Sequence, residues 1–362
     1  MTPRVTVLSS LYRDAPFVRQ AIESVLAQTF TDFEYLIIND AAVDDSRALA
    51  ASYDDPRIRI VDNETNLGLT KSLNRGLALA RGELIARFDS NDICFPERLA
   101  TQVAFLDAHP DVAAVGIQST VIDVAGRRLR RAETRRPTTE AGLRWYCLFD
   151  TPLIHPGAMF RRAVVWDELG GYDEAFRVGQ DAELWLRVSR RHKLANLDQR
   201  LMALRVDPRS ISGDTTLAVR AGHRERFIRV TGQNIRRFLE WEDFPEEWPR
   251  TWVQLHEPAS RLEPAVLERF ADAVGRCFER FCELNPEARR DRDVARQRSQ
   301  MLMRIAQKLA TTKRRRAVRF FARAARIDAS ETLRALPKLA AVIIAGDLPV
   351  RLWRRWRHGR SA

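Results

Sequence analysis

Asp89-Ser90-Asn91-Asp92 follows the apolar run Leu84-Ile85-Ala86 and precedes Ile93-Cys94-Phe95-Pro96-Glu97-Arg98. Two carboxylates and an amide within four residues offer hard oxygen ligands, of the kind Mg²⁺ or Mn²⁺ takes together with a phosphate. The apolar run reads as a buried strand, which puts the cluster at its carboxyl end. In open α/β sheets that end faces the ligand crevice. The same residue types also build turns that cap a following helix. On these four residues alone both readings stand.

The elements around the cluster favour a crevice. Residues 5–8, 34–38, 58–61 and 84–88 are short apolar, largely β-branched runs and read as strands. Between them, 15–28, 46–53 and 70–80 carry apolar residues at helical spacing, as in Val18, Ile22, Val25 and Leu26. Strands alternating with helices at this distance predict βαβ units and a parallel sheet. A further helix is expected over 97–108, a strand and a turn over 112–117 and 119–124 with Gly126, a short strand over 158–161 and a helix over 181–191. From about residue 217 the chain reads as long helical segments punctuated by Pro245, Pro249, Pro258, Pro264 and Pro286. At 362 residues two domains are the expectation, with boundaries at 1–215 and 216–362.

Charge divides the chain in the same way. The net charge is +12, yet residues 1–215 hold 28 Lys and Arg against 30 Asp and Glu, a balance of −2. Residues 216–362 hold 32 against 18, and 289–362 alone hold 21 against 5, a balance of +16. A basic tail points to a phosphate-rich partner, either nucleic acid or an anionic membrane surface. Arg314, Arg315, Arg316, Arg319, Arg323 and Arg326 lie among Val318, Phe320, Phe321 and Ile327, and Arg351, Arg354, Arg355 and Arg357 lie beside Trp353 and Trp356. Cationic, aromatic helices of this kind favour an anionic bilayer interface. No nucleic-acid motif accompanies the charge, so nucleic acid is the weaker expectation.

Cys94, Cys147, Cys277 and Cys282 form no CxxC pair and have no His partner at zinc spacing, which fits free thiols in a reducing compartment. Met1-Thr2-Pro3-Arg4 leads into a strand with no signal-peptide core. The apolar stretch 339–345 is far short of the ~20 residues a spanning helix needs. The expectation is a cytoplasmic protein, peripheral at the inner face of the cell membrane.

Several phrases of the N-terminal half, taken together, resemble family 2 glycosyltransferases of the GT-A fold. They are Ala21-Ile22-Glu23-Ser24-Val25-Leu26-Ala27-Gln28-Thr29-Phe30, Asn66-Leu67-Gly68-Leu69-Thr70-Lys71-Ser72-Leu73-Asn74-Arg75-Gly76, the acidic cluster with Pro96-Glu97-Arg98-Leu99, Gly170-Gly171-Tyr172-Asp173-Glu174, and Asp181-Ala182-Glu183-Leu184-Trp185. They run in family order over roughly residues 4–212. The resemblance implies a Rossmann-like, mostly parallel α/β sheet flanked by helices, followed here by a helical C-terminal region. It also implies inverting transfer of a sugar from a nucleotide diphosphate, UDP being the commonest, to a hydroxyl of a glycan or lipid-linked acceptor.

By that resemblance the metal positions are Asp89, Asn91 and Asp92, with Asp89 also near the ribose. The general base falls on Asp181. Nucleotide contacts fall on Ser10, Leu11, Tyr12, Asn39, Asp40 and Lys71. The reaction needs such groups: a divalent ion offsets charge on the departing diphosphate, and a carboxylate takes the acceptor proton. Four departures stand out. Asn91 is neutral where the family commonly has Asp. Asp40-Ala41-Ala42 lacks the usual glycine, and with it easy access to positive φ. Arg13 replaces an Asn, and Arg205-Val206-Asp207 lacks the family's His; His155, Arg161 and Arg162 are the nearby candidates for a diphosphate contact. Asn91, Ala41-Ala42 and Asp207 motivate the alternative of a degenerate protein that binds nucleotide-sugar or glycan without turnover, against which Asp89, Asp92 and Asp181 stand.

Overall fold

Strands buried on both faces read as continuous apolar runs, and three such runs, with a fourth, partly exposed strand at 58–62, carry the N-terminal core. The computed structural model describes residues 2–130, 135–177, 179–207, most of 225–256, 262–310 and 313–333. β1 (Val5–Leu11), β2 (Phe33–Asn39), β3 (Ile58–Asp62) and β4 (Leu84–Arg87) pair in parallel. They are joined by α1 (Val18–Leu26), α2 (Ser46–Ala51) and α3 (Leu69–Leu79). Val18, Ala21, Ile22 and Val25 form the buried stripe of α1, at the spacing that predicted it. β4 is followed by β5 (Ile93–Cys94) and α4 (Arg98–Ala108).

The remainder closes the sheet. β6 (Val112–Ile122), α5 (Glu140–Cys147), β7 (Met159–Arg161), α6 (Gln180–Ser189) and β8 (Lys193–Arg205) complete an eight-stranded sheet of order β3-β2-β1-β4-β7-β6-β8-β5. β7 runs antiparallel to both β4 and β6, and β5 antiparallel to β8. The sheet is therefore mixed, parallel over β3-β2-β1-β4 and again between β6 and β8.

Residues 112–122 form a single strand, with Gln118 accommodated by bulges in the pairing of β6 with β8, and the turn expected near Gly126 follows it, Gly126 N–H donating to the Asp123 carbonyl at 2.9 Å. β8 itself was not expected, since its centre, Asp198-Gln199-Arg200, is exposed and polar and interrupts the apolar alternation.

The chain divides into two compact units, 1–226 and 227–362. In the second, α7 (Glu247–His256), α8 (Pro264–Leu284), α9 (Arg292–Leu309) and α10 (Arg314–Ile327) are helices. Leu267, Phe270, Val274, Cys277, Phe278 and Phe281 make the buried face of α8. Asp291 caps α9 by accepting from the N–H groups of Asp293 and Val294, which would otherwise lack partners. Trp248 packs edge-on against Phe244 and Phe270 at 5.0 and 5.8 Å between ring centroids. All four cysteines are free and buried. Among the described residues no helix is long and apolar enough to cross a membrane.

Candidate active site

The carboxyl ends of β2, β1 and β4 lie side by side, so residues far apart in sequence meet there. Ser90, in the acidic loop after β4, donates its hydroxyl to the Ser10 carbonyl at 3.1 Å and to Asp14 Oδ2 at 2.6 Å. Asp40 N–H donates to the Leu11 carbonyl at 3.0 Å. Ser10 and Leu11 thus adjoin the Asp89–Asp92 loop, and Asn39 and Asp40 lie across β1 from it. Tyr12 is partly exposed with the Arg13 guanidinium over its ring at 5.1 Å. Lys71 is exposed on α3.

The turn after β2 solves its missing glycine with two non-glycine residues. Ala41 takes φ +52°, and the Asn39 side chain holds it by accepting from Ala42 N–H at 3.1 Å. A left-handed Ala costs on the order of 1 kcal/mol. Arg13 also has positive φ, +59°. Asp40, 2% exposed, accepts from Asn63 Nδ2 at 2.7 Å, Leu67 N–H at 2.8 Å and Gly68 N–H at 2.9 Å. Its carboxylate organises the Asn66-Leu67-Gly68 turn and thereby the start of α3.

α3 in turn positions the glycine-rich phrase. Asn74 and Tyr172 bond reciprocally: Asn74 Nδ2 donates to the Tyr172 carbonyl and Tyr172 N–H to Asn74 Oδ1, both at 2.8 Å. Gly171 has φ +79°, and a Cβ there would lie 2.6 Å from Asn74 Oδ1, so only glycine fits this close approach. Arg187 of α6 grips the same turn, donating to the Leu169 and Gly171 carbonyls at 2.7 and 2.8 Å. Glu183 clamps Arg187 at 2.7 and 2.8 Å. The motif residues Asn74, Gly171, Tyr172, Glu183 and Arg187 thus form one brace, which holds the amino end of α6 and with it Asp181.

The acidic loop is fastened from two sides. Arg205, at the end of β8, donates its backbone N–H to Asp92 Oδ1 at 2.7 Å and its Nε to the Asn91 carbonyl at 2.7 Å. Its Nη2 reaches Gln20 Oε1 at 2.6 Å, and its guanidinium lies 4.6 Å from the Phe17 ring. From β4, the buried Arg87 pairs with Asp89 Oδ1 and donates to the Phe88 carbonyl. Asp89 keeps 35% of its side chain exposed, whereas Asp92 is buried and its Oδ2 has no partner. Burial first, then the charge of Asp89, holds the Asp92 carboxyl well above the usual carboxylate range.

Asp181, half-buried in the first turn of α6, has its carboxyl pushed up by burial and secondarily by the charge of Asp150. The Ala182 N–H and the Thr151 side chain pull it back. Asp89 and Asp181 both act electrostatically on the buried Tyr172 hydroxyl, as does Arg87. The acidic loop and Asp181 therefore share one neighbourhood. Tyr146 donates its hydroxyl to Asp150 Oδ2 at 3.2 Å, and Arg136 lies 3.5 Å from the same oxygen.

The three diphosphate candidates are engaged elsewhere. His155 Nε2 bonds the Tyr172 hydroxyl at 2.8 Å, and burial, reinforced by Arg87, holds its imidazole well below its ordinary pKa and hence neutral. Arg161 donates to the Val112 and Leu106 carbonyls at 3.0 and 2.7 Å. Arg162 reaches the Leu77 carbonyl at 3.3 Å and Asp167 at 3.4 Å. Neither arginine is free for a phosphate. Three groups escaped sequence reasoning: Arg87, Asp14 and Asp150. Arg87 alone had a signal, a charge inside a run destined for burial.

A metal is testable against these side chains. Among the described residues no three His, Cys, Asp or Glu gather around a common point. Mg²⁺ nonetheless commonly takes only one or two carboxylates, completing its shell with water and substrate phosphates. The unpartnered Asp92 oxygen and the mutual repulsion of Asp89 and Asp92 are what a divalent ion would relieve. The residues present fit the group.

The profile of Glycosyl transferase family 2 matches residues 6–169. AmsE of Erwinia amylovora, named as an amylovoran biosynthesis glycosyltransferase, is 34% identical over 207 residues, 55% of this chain and 75% of AmsE. The chain belongs to glycosyltransferase family 2. EpsE of Bacillus subtilis is 36% identical over 191 residues, 51% of this chain and 66% of EpsE, so the match spans just under two thirds of that protein. The succinoglycan biosynthesis protein ExoO of Rhizobium meliloti is 33% identical over 187 residues, 49% of this chain and 53% of ExoO. Among solved structures, S. aureus TarS residues 1–349 in complex with UDP-GlcNAc aligns with a TM-score of 0.54 at 17% identity, covering 92% of both chains. At that identity the likeness is one of fold. In this family 2 protein the sheet with flanking helices and the helical C-terminal region follow the expected architecture.

Proposed function

We propose that this family 2 protein transfers a sugar, with inversion, from a UDP-sugar to a hydroxyl of a glycan or lipid-linked acceptor in cell-surface polysaccharide synthesis. The observation that carries the reading is the unpartnered Asp92 oxygen beside the partly exposed Asp89 at the carboxyl end of β4, with Asp181 set in the first turn of α6 by the brace through Gly171 and Tyr172. Asp181 takes the acceptor proton: its pushed-up carboxyl makes it a better base than an ordinary Asp, since catalytic pKa values work best near the operating pH. Ser10, Leu11, Tyr12, Asn39, Asp40, Lys71 and Asp89 form the nucleotide side. Asp40 acts there by shaping the Asn66–Gly68 turn, its carboxylate being filled. Asp89 and Asp92, with Asn91 between them, would hold Mg²⁺ or Mn²⁺, which when bound supplies Lewis-acid stabilisation of the leaving diphosphate. The names of AmsE and ExoO support the polysaccharide assignment.

The decisive measurement is a thermal-shift screen of nucleotide-sugars with and without Mn²⁺, followed by NMR of the product's anomeric centre. Retention of configuration would overturn the inverting mechanism. Binding of a nucleotide-sugar without transfer or hydrolysis would favour the degenerate alternative, which Asn91 and the Asp89–Arg87 pair motivate.

A location in the cytoplasm, peripheral at the inner membrane face, is supported by α10. Arg314, Arg315, Arg319 and Arg326 are exposed there, whereas Arg316 and Arg323 face Glu268 at 2.8 Å and Asp272 at 3.8 Å. The second cationic stretch, 348–357, lies outside the described residues. Liposomes rich in phosphatidylglycerol should sediment the full chain and not a variant with Arg314, Arg315, Arg319 and Arg326 replaced by Gln. Equal sedimentation of both would remove α10 from the interface.

A further inference from the structure

A guanidinium on β4 is an unusual resident for a strand buried on both faces. Arg87 is 1% exposed, pairs through Nη2 with Asp89 Oδ1, donates from Nη1 to the Phe88 carbonyl and leaves Nε without a partner. Its backbone is locked on either side: Arg87 N–H donates to the Ala158 carbonyl at 2.9 Å, and Arg98 Nη2 donates to the Arg87 carbonyl at 2.7 Å. A guanidinium does not lose its proton in proteins, so this cation is permanent. It stands against the one acidic-loop carboxylate that retains substantial exposure.

We infer that Arg87 is a positioning residue that orients Asp89 and competes with the divalent ion for it, an inference that rests on the metal reading above. One Asp89 oxygen is committed to the ion pair, and Asn91 adds no charge. An incoming cation must share Asp89 with a guanidinium of its own sign or displace it. Its apparent affinity then falls by the fraction of time the pair is open. A pair closed about nine-tenths of the time weakens metal binding about tenfold. Arg87 as a mere strap between β4 and its loop predicts no such competition.

Calorimetry of the full chain with Mn²⁺ alone, without nucleotide, separates these cases. Arg87→Gln should bind Mn²⁺ on the order of tenfold more tightly than wild type, and Asp89→Asn should lose binding. Equal or weaker binding by Arg87→Gln, with binding lost in Asp89→Asn, overturns the competition and leaves the metal reading standing. Undiminished binding by Asp89→Asn overturns both. Because removing a buried ion-pair partner can prevent folding, the wild type supplies a second measurement. Saturating Mg²⁺ should shift the ¹⁵N resonances of the Arg87 guanidinium and speed exchange of its protons; an unmoved Arg87 overturns the inference.

Discussion

Two acidic strand ends flank that of β1 in this molecule and have opposite fates. After β2, every bond of the Asp40 carboxylate is internal: Asn63, Leu67 and Gly68 fill it. After β4, Asp92 has an oxygen without a partner, Asp89 is partly exposed, and their charges oppose each other. Both segments are acidic residues at the carboxyl end of a buried parallel strand. The difference is saturation. A carboxylate held by two backbone N–H groups and a side-chain amide is a structural hub; one left short is held in a state that a ligand can improve.

The largest test of that contrast is at Asp181, whose charge, like that of Asp92, the fold disfavours. Asp181→Asn should lower transfer by ~10²–10⁴-fold with donor affinity little changed. The melting temperature should hold or rise, because the fold disfavours the Asp181 charge. Wild-type turnover would place the base elsewhere. Glu183→Gln is a poorer neutral control than its position suggests, since Glu183 clamps Arg187.

Asp40→Asn should do the reverse, costing about 2–3 kcal/mol of stability measured by urea unfolding, as expected for charge-assisted bonds lost from a buried site. A loss of transfer without a loss of stability would break the comparison.

Asp14 gives a pH signature. Burial pushes its carboxyl up to about 6 from 3.8, against the pull of its bonds to Ser90 and Tyr12. A raised folded-state value means the native state binds the proton more tightly, so this stabilisation is complete below about pH 4 and is lost as pH rises to about 6. Urea midpoints between pH 4 and 6.5 should show wild type falling relative to Asp14→Asn; parallel curves would remove Asp14 from this role. The smallest effect is expected at Asn91. Asn91→Asp adds a hard ligand and should tighten Mn²⁺ binding several-fold, on the order of 1 kcal/mol. Unchanged calorimetric affinity would exclude Asn91 from the metal shell.

Local sequence was enough for the alternation of β1 to β4 with their helices, because burial period is a short-range property. It also placed the acidic loop at a strand end and, through phrases such as Asn66-Leu67-Gly68 and Gly170-Gly171-Tyr172, the family. It did not contain which acids would be filled. Asp40 meets Gly68 across 28 residues, Asn74 meets Tyr172 across 98, and Arg205 meets Asp92 across 113. β8, whose end carries Arg205, was hidden by its polar centre. Arg87 reads as one more cation until the sheet buries it beside Asp89. Residue type and spacing determine which groups stand at a strand end. Only the packed sheet determines which neighbours reach them, and hence which carboxylate is spent on structure and which is left for chemistry.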